Sequence, residues 1–272
     1  MFVVADSSLP RNPPFHLFAE VANHCPRLSH LHLIQTNLRY VTIGDLPSSL
    51  ESLAITFSVT QINWFQPLSE SRKAILPHLK ELDLSRSVFI QEDDLGHIAR
   101  TWPGLSTLKL NYCSFATDEG LQSIAEGLHQ LEVLEMAKTK CNDVVIEQIC
   151  QNTAATLRRL NVARCWSVTD QCVGRIATTL INLQSLDVSN CHQLSRYGLL
   201  SLVQLNRTLR YLNVSETTIT IFAQLNLTKI LLNRRLRYLN LPTIDIDDKL
   251  PQLTSSLPAC NIVCEAPFSL KI

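Results

Sequence analysis

Four stretches of the chain repeat one pattern of apolar and polar positions: Leu105-Ser-Thr-Leu108-Lys-Leu110, Leu131-Glu-Val-Leu134-Glu-Met136, Leu157-Arg-Arg-Leu160-Asn-Val162 and Leu183-Gln-Ser-Leu186-Asp-Val188. Each begins 26 residues after the one before. Three of them place a cysteine eight residues past the first leucine, at Cys113, Cys165 and Cys191, where the other has Thr139. Strand side chains alternate between two faces, so apolar residues two apart in an extended segment point to one side. One such short strand cannot bury its apolar side alone. Copies stacked in file bury a continuous core in which each touches only its neighbours, and a fixed period of this size marks such an array.

About twenty residues of each copy remain for the return path, enough for a helix. Strands pack at roughly 4.8 Å and helices at about 10 Å, so the stack must curve, with strands lining the inside. First leucines fall at Leu28, Leu50, Leu79, Leu105, Leu131, Leu157, Leu183, Leu209 and Leu236, and a degenerate copy follows at Leu257-Pro-Ala-Cys260-Asn-Ile262. The expected organisation is an incomplete repeat over 1–27 (strand remnant, loop, helix), an array of nine to ten repeats over 28–264 and a tail over 265–272.

The outer segments carry helix signals. Thr117-Asp118 and Thr169-Asp170 each offer an N-cap hydroxyl and an acid in the first turn, and Ser195 opens the next helix in the same phase. Leu121, Ile124, Ala125 and Leu128 form one helical stripe; Val173, Ile176, Ala177 and Leu180 form its equivalent. Pro26, Pro77 and Pro103 sit two residues before a first leucine, where a helix must have ended. Val59 to Leu76 reads as an insert packed by its own Trp64 and Phe65. Phe2-Val3-Val4 reads as the end of a strand with an uncovered edge, so the expectation is that a further segment precedes or covers it.

Composition narrows the classes. Of 272 residues, 46% are hydrophobic, and Lys+Arg and Asp+Glu each number 24, so the lopsided charge of a nucleic-acid binder is absent. No run of 18 apolar residues predicts a membrane span, and the N-terminus has neither a basic region nor a long apolar one, so it does not read as a signal peptide. Nine cysteines without such a signal point to a reducing compartment, cytoplasmic or nuclear and not secreted.

The phrase L-x-x-L-x-L-x-x-C at this period, with Thr-Asp opening the helix and Cys25-Pro26-Arg27-Leu28 before a strand, resembles the cysteine-containing leucine-rich repeats of the F-box/LRR family. The likeness covers about residues 15–264. A closer similarity to one member of that family runs over about residues 28–95, through Thr42 to Leu50, Trp64-Phe65 and Leu76-Pro77-His78-Leu79. The resemblance implies a right-handed α/β leucine-rich-repeat solenoid, a horseshoe with a parallel inner sheet and outer helices. It also implies a substrate receptor of a Skp–cullin–F-box (SCF) ubiquitin ligase, whose concave face holds the target protein and whose F-box holds the Skp adaptor. Here the sequence departs from the pattern. Leu9-Pro10 resembles an F-box opening, but only about 18 residues separate it from the first full repeat, and no F-box fits. Skp and cullin are therefore expected as partners only where the full-length product carries an F-box upstream. The expectation is a fragment or isoform missing its front, or a chain that has lost ligase attachment.

Candidate recognition residues fall in two columns. Between the second and third apolar positions stand Asp83, Lys109, Glu135, Asn161, Asp187 and Asn213; three residues further on stand Arg86, Tyr112, Lys138, Arg164, Asn190 and Glu216, with Trp166 just beyond. The first column alternates in sign, which cross-strand pairing would explain. In the second, Lys138 and Arg164 are expected on adjacent strands about 5 Å apart, a like-charge juxtaposition that either Glu135 relieves diagonally or an acidic or phosphorylated partner segment relieves. Tyr112 and Trp166 are of the types enriched at binding hot spots. The candidate protein-binding set is Asp83, Arg86, Lys109, Tyr112, Glu135, Lys138, Arg164, Trp166, Asp187 and Asn190.

Other features read as structural. The in-phase cysteines lack paired C-x2-C knuckles and read as buried packing thiols rather than metal ligands, as do Cys260 and Cys264. Asp245-Ile-Asp247-Asp248 lacks the glycine and glutamate of a calcium loop. Arg234-Arg235-Leu-Arg237 suits a helix C-terminus as well as a nuclear signal. No H-E-x-x-H, G-x-S-x-G or phosphate-cradling motif occurs, so the expectation is a non-enzyme without cofactor or metal, binding neither nucleic acid nor membrane.

Overall fold

A computed structural model describes residues 2–5, 17–60, 64–66, 74–88, 91–114, 116–195, 197–198, 201–202, 208–217, 235–242, 254–255 and 257–265. The Ser7–Pro14 loop, the Asp245–Asp248 turn, Arg234 and the tail beyond Glu265 lie outside them. The chain divides into two compact units, Met1–Thr139 and Lys140–Ile272.

In the first unit, strands β1 (Phe2–Ala5), β2 (His30–Ile34), β4 (Ser52–Thr56), β6 (Glu81–Asp83), β7 (Thr107–Lys109) and β8 (Val133–Glu135) pair in that order, all parallel. Two short strands, β3 (Asn37–Leu38) and β5 (Val59–Thr60), pair separately. The second unit repeats the arrangement with β9 (Arg159–Asn161), β10 (Ser185–Asp187), β11 (Tyr211–Asn213), β12 (Tyr238–Pro242) and β13 (Asn261–Glu265). Register puts the repeated leucines in file: Leu31, Leu53, Leu82, Leu108 and Leu134 in one unit, Leu160, Leu186, Leu212 and Leu239 in the other, with Ile262 closing the second. The four leucines that open the periodic phrase, Leu105, Leu131, Leu157 and Leu183, are fully buried beneath these files. At about 2 kcal/mol for each leucine removed from water, these files dominate the core. Both units are α/β leucine-rich-repeat arrays.

The described helices are α1 (Leu17–His24), α2 (Glu92–Thr101) and α3 (Asp118–Gly127) in the first unit, and α4 (Asp143–Thr153) and α5 (Asp170–Thr179) in the second. The stripes of α3 and α5 are buried as their periodicity predicts. Thr117 caps α3 by accepting from the Gly120 N–H, and Asn142 caps α4 by accepting from that of Val145. The acids of the first turns do more than oppose the helix dipole. Asp143 accepts from the backbone and hydroxyl of Thr169, and Asp170 from those of Ser195, so each carboxylate fastens the start of the next repeat's helix. Helix α3 packs beside α2 at Gly127, where a Cβ would stand 2.8 Å from that of Ala99. The aromatic insert is core: Trp64 and Phe65 are buried edge to face at 5.1 Å, and Phe65 also meets Trp102 of the following repeat. Trp64 donates to the Val41 carbonyl at 2.7 Å, so its indole N–H is not left unpaired in the interior.

Candidate functional site

Each repeat leaves its strand through the same turn. After the last strand residue the backbone keeps donating to the next repeat: Leu84 to the Lys109 carbonyl, Leu110 to that of Glu135, Val162 to Asp187. Two residues on, Arg86 donates to the Asn111 carbonyl and Tyr112 to that of Ala137, both at 2.7 Å, and Arg164 to that of Ser189 at 2.8 Å. The chain then folds back, with Ser87 donating to the carbonyl of Leu84, Cys113 to Leu110 and Cys165 to Val162. Closing that turn requires a positive φ at its third residue, the position where glycine or asparagine is favoured. The residues found there are Gln35 (φ 52), Phe57 (54), Arg86 (62), Tyr112 (62), Lys138 (57), Arg164 (61), Asn190 (57) and Glu216 (52).

Beneath the turn, the residue after the positive φ is a buried donor. Ser58 and Ser87 hydroxyls, and the Cys113 and Cys191 thiols, each donate to the carbonyl of the third apolar residue one repeat earlier: Leu33, Ile55, Leu84 and Val162. Thr139 and Thr217 instead donate to Met136 and Val214 within their own repeats. Thiol and hydroxyl thus fill one structural place. Burial pushes the Cys113 thiol up to about 11 and that of Cys191 up to about 12, so both stay protonated at neutral pH, the inert state of a cysteine.

The column between the apolar positions is half-buried and largely occupied with the turn. Asp83 accepts from the Ser85 N–H at 2.9 Å, and Asn161 from that of Ala163. Asp187 accepts from the N–H and hydroxyl of Ser189 and from the Asn213 amide. Glu135 accepts from the Asn111 amide at 2.7 Å, and Asn111 in turn accepts from the Ala137 N–H. The cross-strand ion pairing expected from the alternating signs is not what holds these acids: Asp83 and Asp187 cap turns, and Glu135 accepts from an amide. Among the described residues the Lys109 side chain meets no carboxylate at ion-pair distance.

A second correction concerns the other column. Arg86, Tyr112, Lys138, Arg164 and Asn190 do not lie on strands, because β6, β7, β8, β9 and β10 end two residues or more before them. They crown the turns. The adjacent-strand clash expected for Lys138 and Arg164 therefore has no strand to sit on, and Glu135 is engaged elsewhere.

In the first unit the crowning side chains stack. The Arg86 guanidinium lies 5.0 Å from the Phe57 ring centre and 4.2 Å from that of Tyr112, and the Lys138 ammonium lies 5.5 Å from that of Tyr112. Phe57 is 50% exposed, and Arg86 and Lys138 are exposed. Phe57 was not among the residues singled out from the sequence, although it stands three residues past Ala54 in the phase that identifies the others. In the second unit Arg164 lies 3.8 Å from the Glu216 carboxylate, which also accepts from the Asn190 amide. Trp166 is 68% exposed, while its carbonyl accepts from Gln193.

No protein-family model matches the chain. It is 24% identical over 202 residues to the antagonist of mitotic exit network protein 1 of Candida glabrata, a match covering 72% of this chain and 36% of that protein. It is 26% identical over 129 residues to the F-box protein FBX14 of Arabidopsis thaliana, covering 46% of this chain and 20% of that one. The chain thus spans about a third and a fifth of these relatives. Among solved structures it superposes with TM-score 0.51 on the internalin inlF of Listeria monocytogenes (14% identical, 88% of this chain, 75% of that one). It superposes equally, at 0.51, on a chain of the yeast Rad7 and Elc1 complex (16% identical, 92% and 75%). The likeness in sequence includes a protein named as an F-box protein, in keeping with the F-box/LRR family, and the solved structures share the leucine-rich-repeat fold alone. Neither relative singles out one member of that family. Among the described residues no helix is long and apolar enough to cross a membrane.

Proposed function

We propose that this chain is the substrate-recognition part of an SCF ubiquitin ligase, a protein-binding array that catalyses nothing itself. The observation that carries the binding reading is the row of large side chains held at positive φ on the turns that follow successive strands, with Phe57, Arg86 and Lys138 exposed and Tyr112 half-buried between them. The candidate surface is this row with its flanking column: Asp83, Arg86, Lys109, Tyr112, Glu135 and Lys138 in the first unit, and Arg164, Trp166, Asp187 and Asn190 in the second. A relative named as an F-box protein supports the ligase assignment. Function by proximity needs no catalytic group: the receptor raises the local concentration of a target lysine beside a charged conjugating enzyme. An F-box elsewhere in the full-length product would supply the Skp and cullin contact, in the cytoplasm or nucleus.

Co-precipitation of the full-length product tests this. Skp adaptor and cullin are expected in the bound fraction, and their absence from a product that still captures a target would remove the ligase reading. A second reading, a free-standing scaffold or inhibitor, is favoured by the relative that covers most of this chain, which is named as an antagonist. On that reading target capture alone, without ubiquitination, changes target activity.

A further inference from the structure

We infer that the row Phe57–Arg86–Tyr112–Lys138 binds an extended acidic segment of the partner protein, with Arg86 gripping one carboxylate and Lys138 a second about three residues along. This rests on the protein-binding reading above and adds the chemistry of the occupant.

Arg86 is held between two aromatic rings. Its guanidinium lies 5.0 and 4.2 Å from two ring centres, those of Phe57 and Tyr112, which belong to the turns before and after it. A guanidinium held over a ring still carries N–H groups on its edge, the fork that takes a carboxylate in two parallel hydrogen bonds. Rings on neighbouring turns also restrict the side chain before any ligand arrives, which removes part of the ordering cost of binding. Among the described residues no carboxylate stands within ion-pair distance of Arg86 or Lys138. The nearby acids are engaged: Asp83 with the Ser85 N–H and Glu135 with Asn111.

The backbone fixes where these side chains stand. Each sits at a positive φ that glycine or asparagine would take with less strain, and none of the described glycines occupies one. The same φ recurs at Gln35, Arg164, Asn190 and Glu216, so the conformation belongs to the turn, and what marks this row is the pair of exposed cations held over rings on it.

The spacing selects the occupant. Arg86 and Lys138 crown turns two repeats apart, and their charged atoms lie 4.2 and 5.5 Å from the one Tyr112 ring centre between them, so at most about 10 Å separates the two charges. In a polyproline-II segment, residues i and i+3 lie on one side about 9 Å apart. A segment carrying Glu or Asp at i and i+3 spans that reach, with its backbone running past the edge of Tyr112, whose ring lies under both cations.

The test uses the full chain, immobilised, and three libraries of peptides of about 12 residues with degenerate flanks: central Glu-x-x-Glu, central Gln-x-x-Gln and a single central phosphoserine. The Glu library is expected to be retained over the Gln library, with retention falling severalfold between about 50 and about 300 mM salt. Arg86→Gly, which suits the backbone, is expected to melt no lower than the parent yet lose about tenfold in retention. Arg175→Gln, on helix α5 and outside the candidate surface, should lose less than about twofold. Equal retention of Glu and Gln libraries, an unaffected Arg86→Gly, or no retention at all would overturn the inference. Stronger retention of the phosphoserine library would replace the carboxylate by a phosphate and overturn it too. Retention of the Gln library alone would sink the acidic occupant while leaving protein binding intact, and the co-precipitation above is read separately from both.

Discussion

The crowning turns of the two units share a backbone and differ in what they do with charge. In both, the crowning residue has a positive φ. Arg86 and Tyr112 in one, like Arg164 and Asn190 in the other, donate to the next turn's carbonyl. In the first unit Arg86 and Lys138 lie against rings. In the second, Arg164 faces Glu216, which also holds Asn190. A cation on a ring keeps its charge on offer; a cation beside a carboxylate has spent part of it. The same repeat thus carries uncompensated cations in one unit and a compensated one in the other, and the difference lies in side chains that the core does not constrain.

The comparison is fair only if the two scaffolds are equally firm. Leu108 and Leu186 occupy equivalent places in the two leucine files and are fully buried. Leu108→Ala and Leu186→Ala should each destabilise by about 3 kcal/mol in urea melts, within the usual span for buried leucine truncations. A cost near zero at either site would show that its file is not core, and the contrast between the rows would lose its common base.

The scaffold was readable from the chain because the 26-residue phrase fixes which leucines face inward, and the structure puts them in register. Helix caps at Thr117 and Thr169 were readable for the same reason: local chemistry decides them. The crowning row was located by phase but misplaced onto strands, because the sequence pattern of a strand followed by a turn gives no sign of where pairing ends. Nothing in Arg, Tyr or Lys announces a positive φ; asparagine does, and only Asn190 is of that type. The acids of the inner column looked like salt-bridge partners because charge is visible in sequence and backbone N–H groups are not. Trp64 and Phe65 were expected to pack on each other, but the reach to Trp102 in the next repeat depends on tertiary geometry.

Both rows also rest on thiols, which permits a pH test of their equivalence. Burial raises Cys113 from an ordinary 9.0 to about 11 and Cys191 to about 12. A thiol whose folded value is raised contributes stability that is complete below the unfolded value near 9 and is lost as pH rises through the folded value. Alkaline melts should therefore lose stability from about pH 9 upward, with a loss on the order of 2 kcal/mol from Cys113. Cys113→Ser, a hydroxyl in the place Ser87 already fills one repeat earlier, should reduce the slope between about pH 9 and 11. An unchanged slope would mean that the thiol is not shielded as its burial implies.

Backbone strain separates Arg86 from Asn190 by a smaller amount. Arg86→Gly relieves a positive φ that arginine tolerates poorly, so stability should rise by about 1 kcal/mol even as ligand retention falls. Asn190→Gly should gain nothing, since asparagine suits the turn and its amide bond to Glu216 is lost. Thermal melts of the two variants read the difference directly. A destabilised Arg86→Gly would show that stacking on Phe57 and Tyr112 outweighs the strain, and the side chain would then have a structural reason to be there.

The smallest effect on stability is the most informative about function. Arg164 and Glu216 are 44% and 35% exposed, so solvent screens their pair and Glu216→Gln should change stability by less than about 0.5 kcal/mol. The glutamine oxygen can still accept from Asn190, so the turn geometry is kept. What changes is the charge facing Arg164. If compensation by Glu216 is what silences the second row, Glu216→Gln should raise retention of the Glu-x-x-Glu library about twofold at low salt, and Arg164→Gly in the same background should abolish that gain. If retention does not move, free charge is not enough. The rings of Phe57 and Tyr112, which hold a guanidinium in place before the ligand arrives, would then be what the first row has and the second lacks.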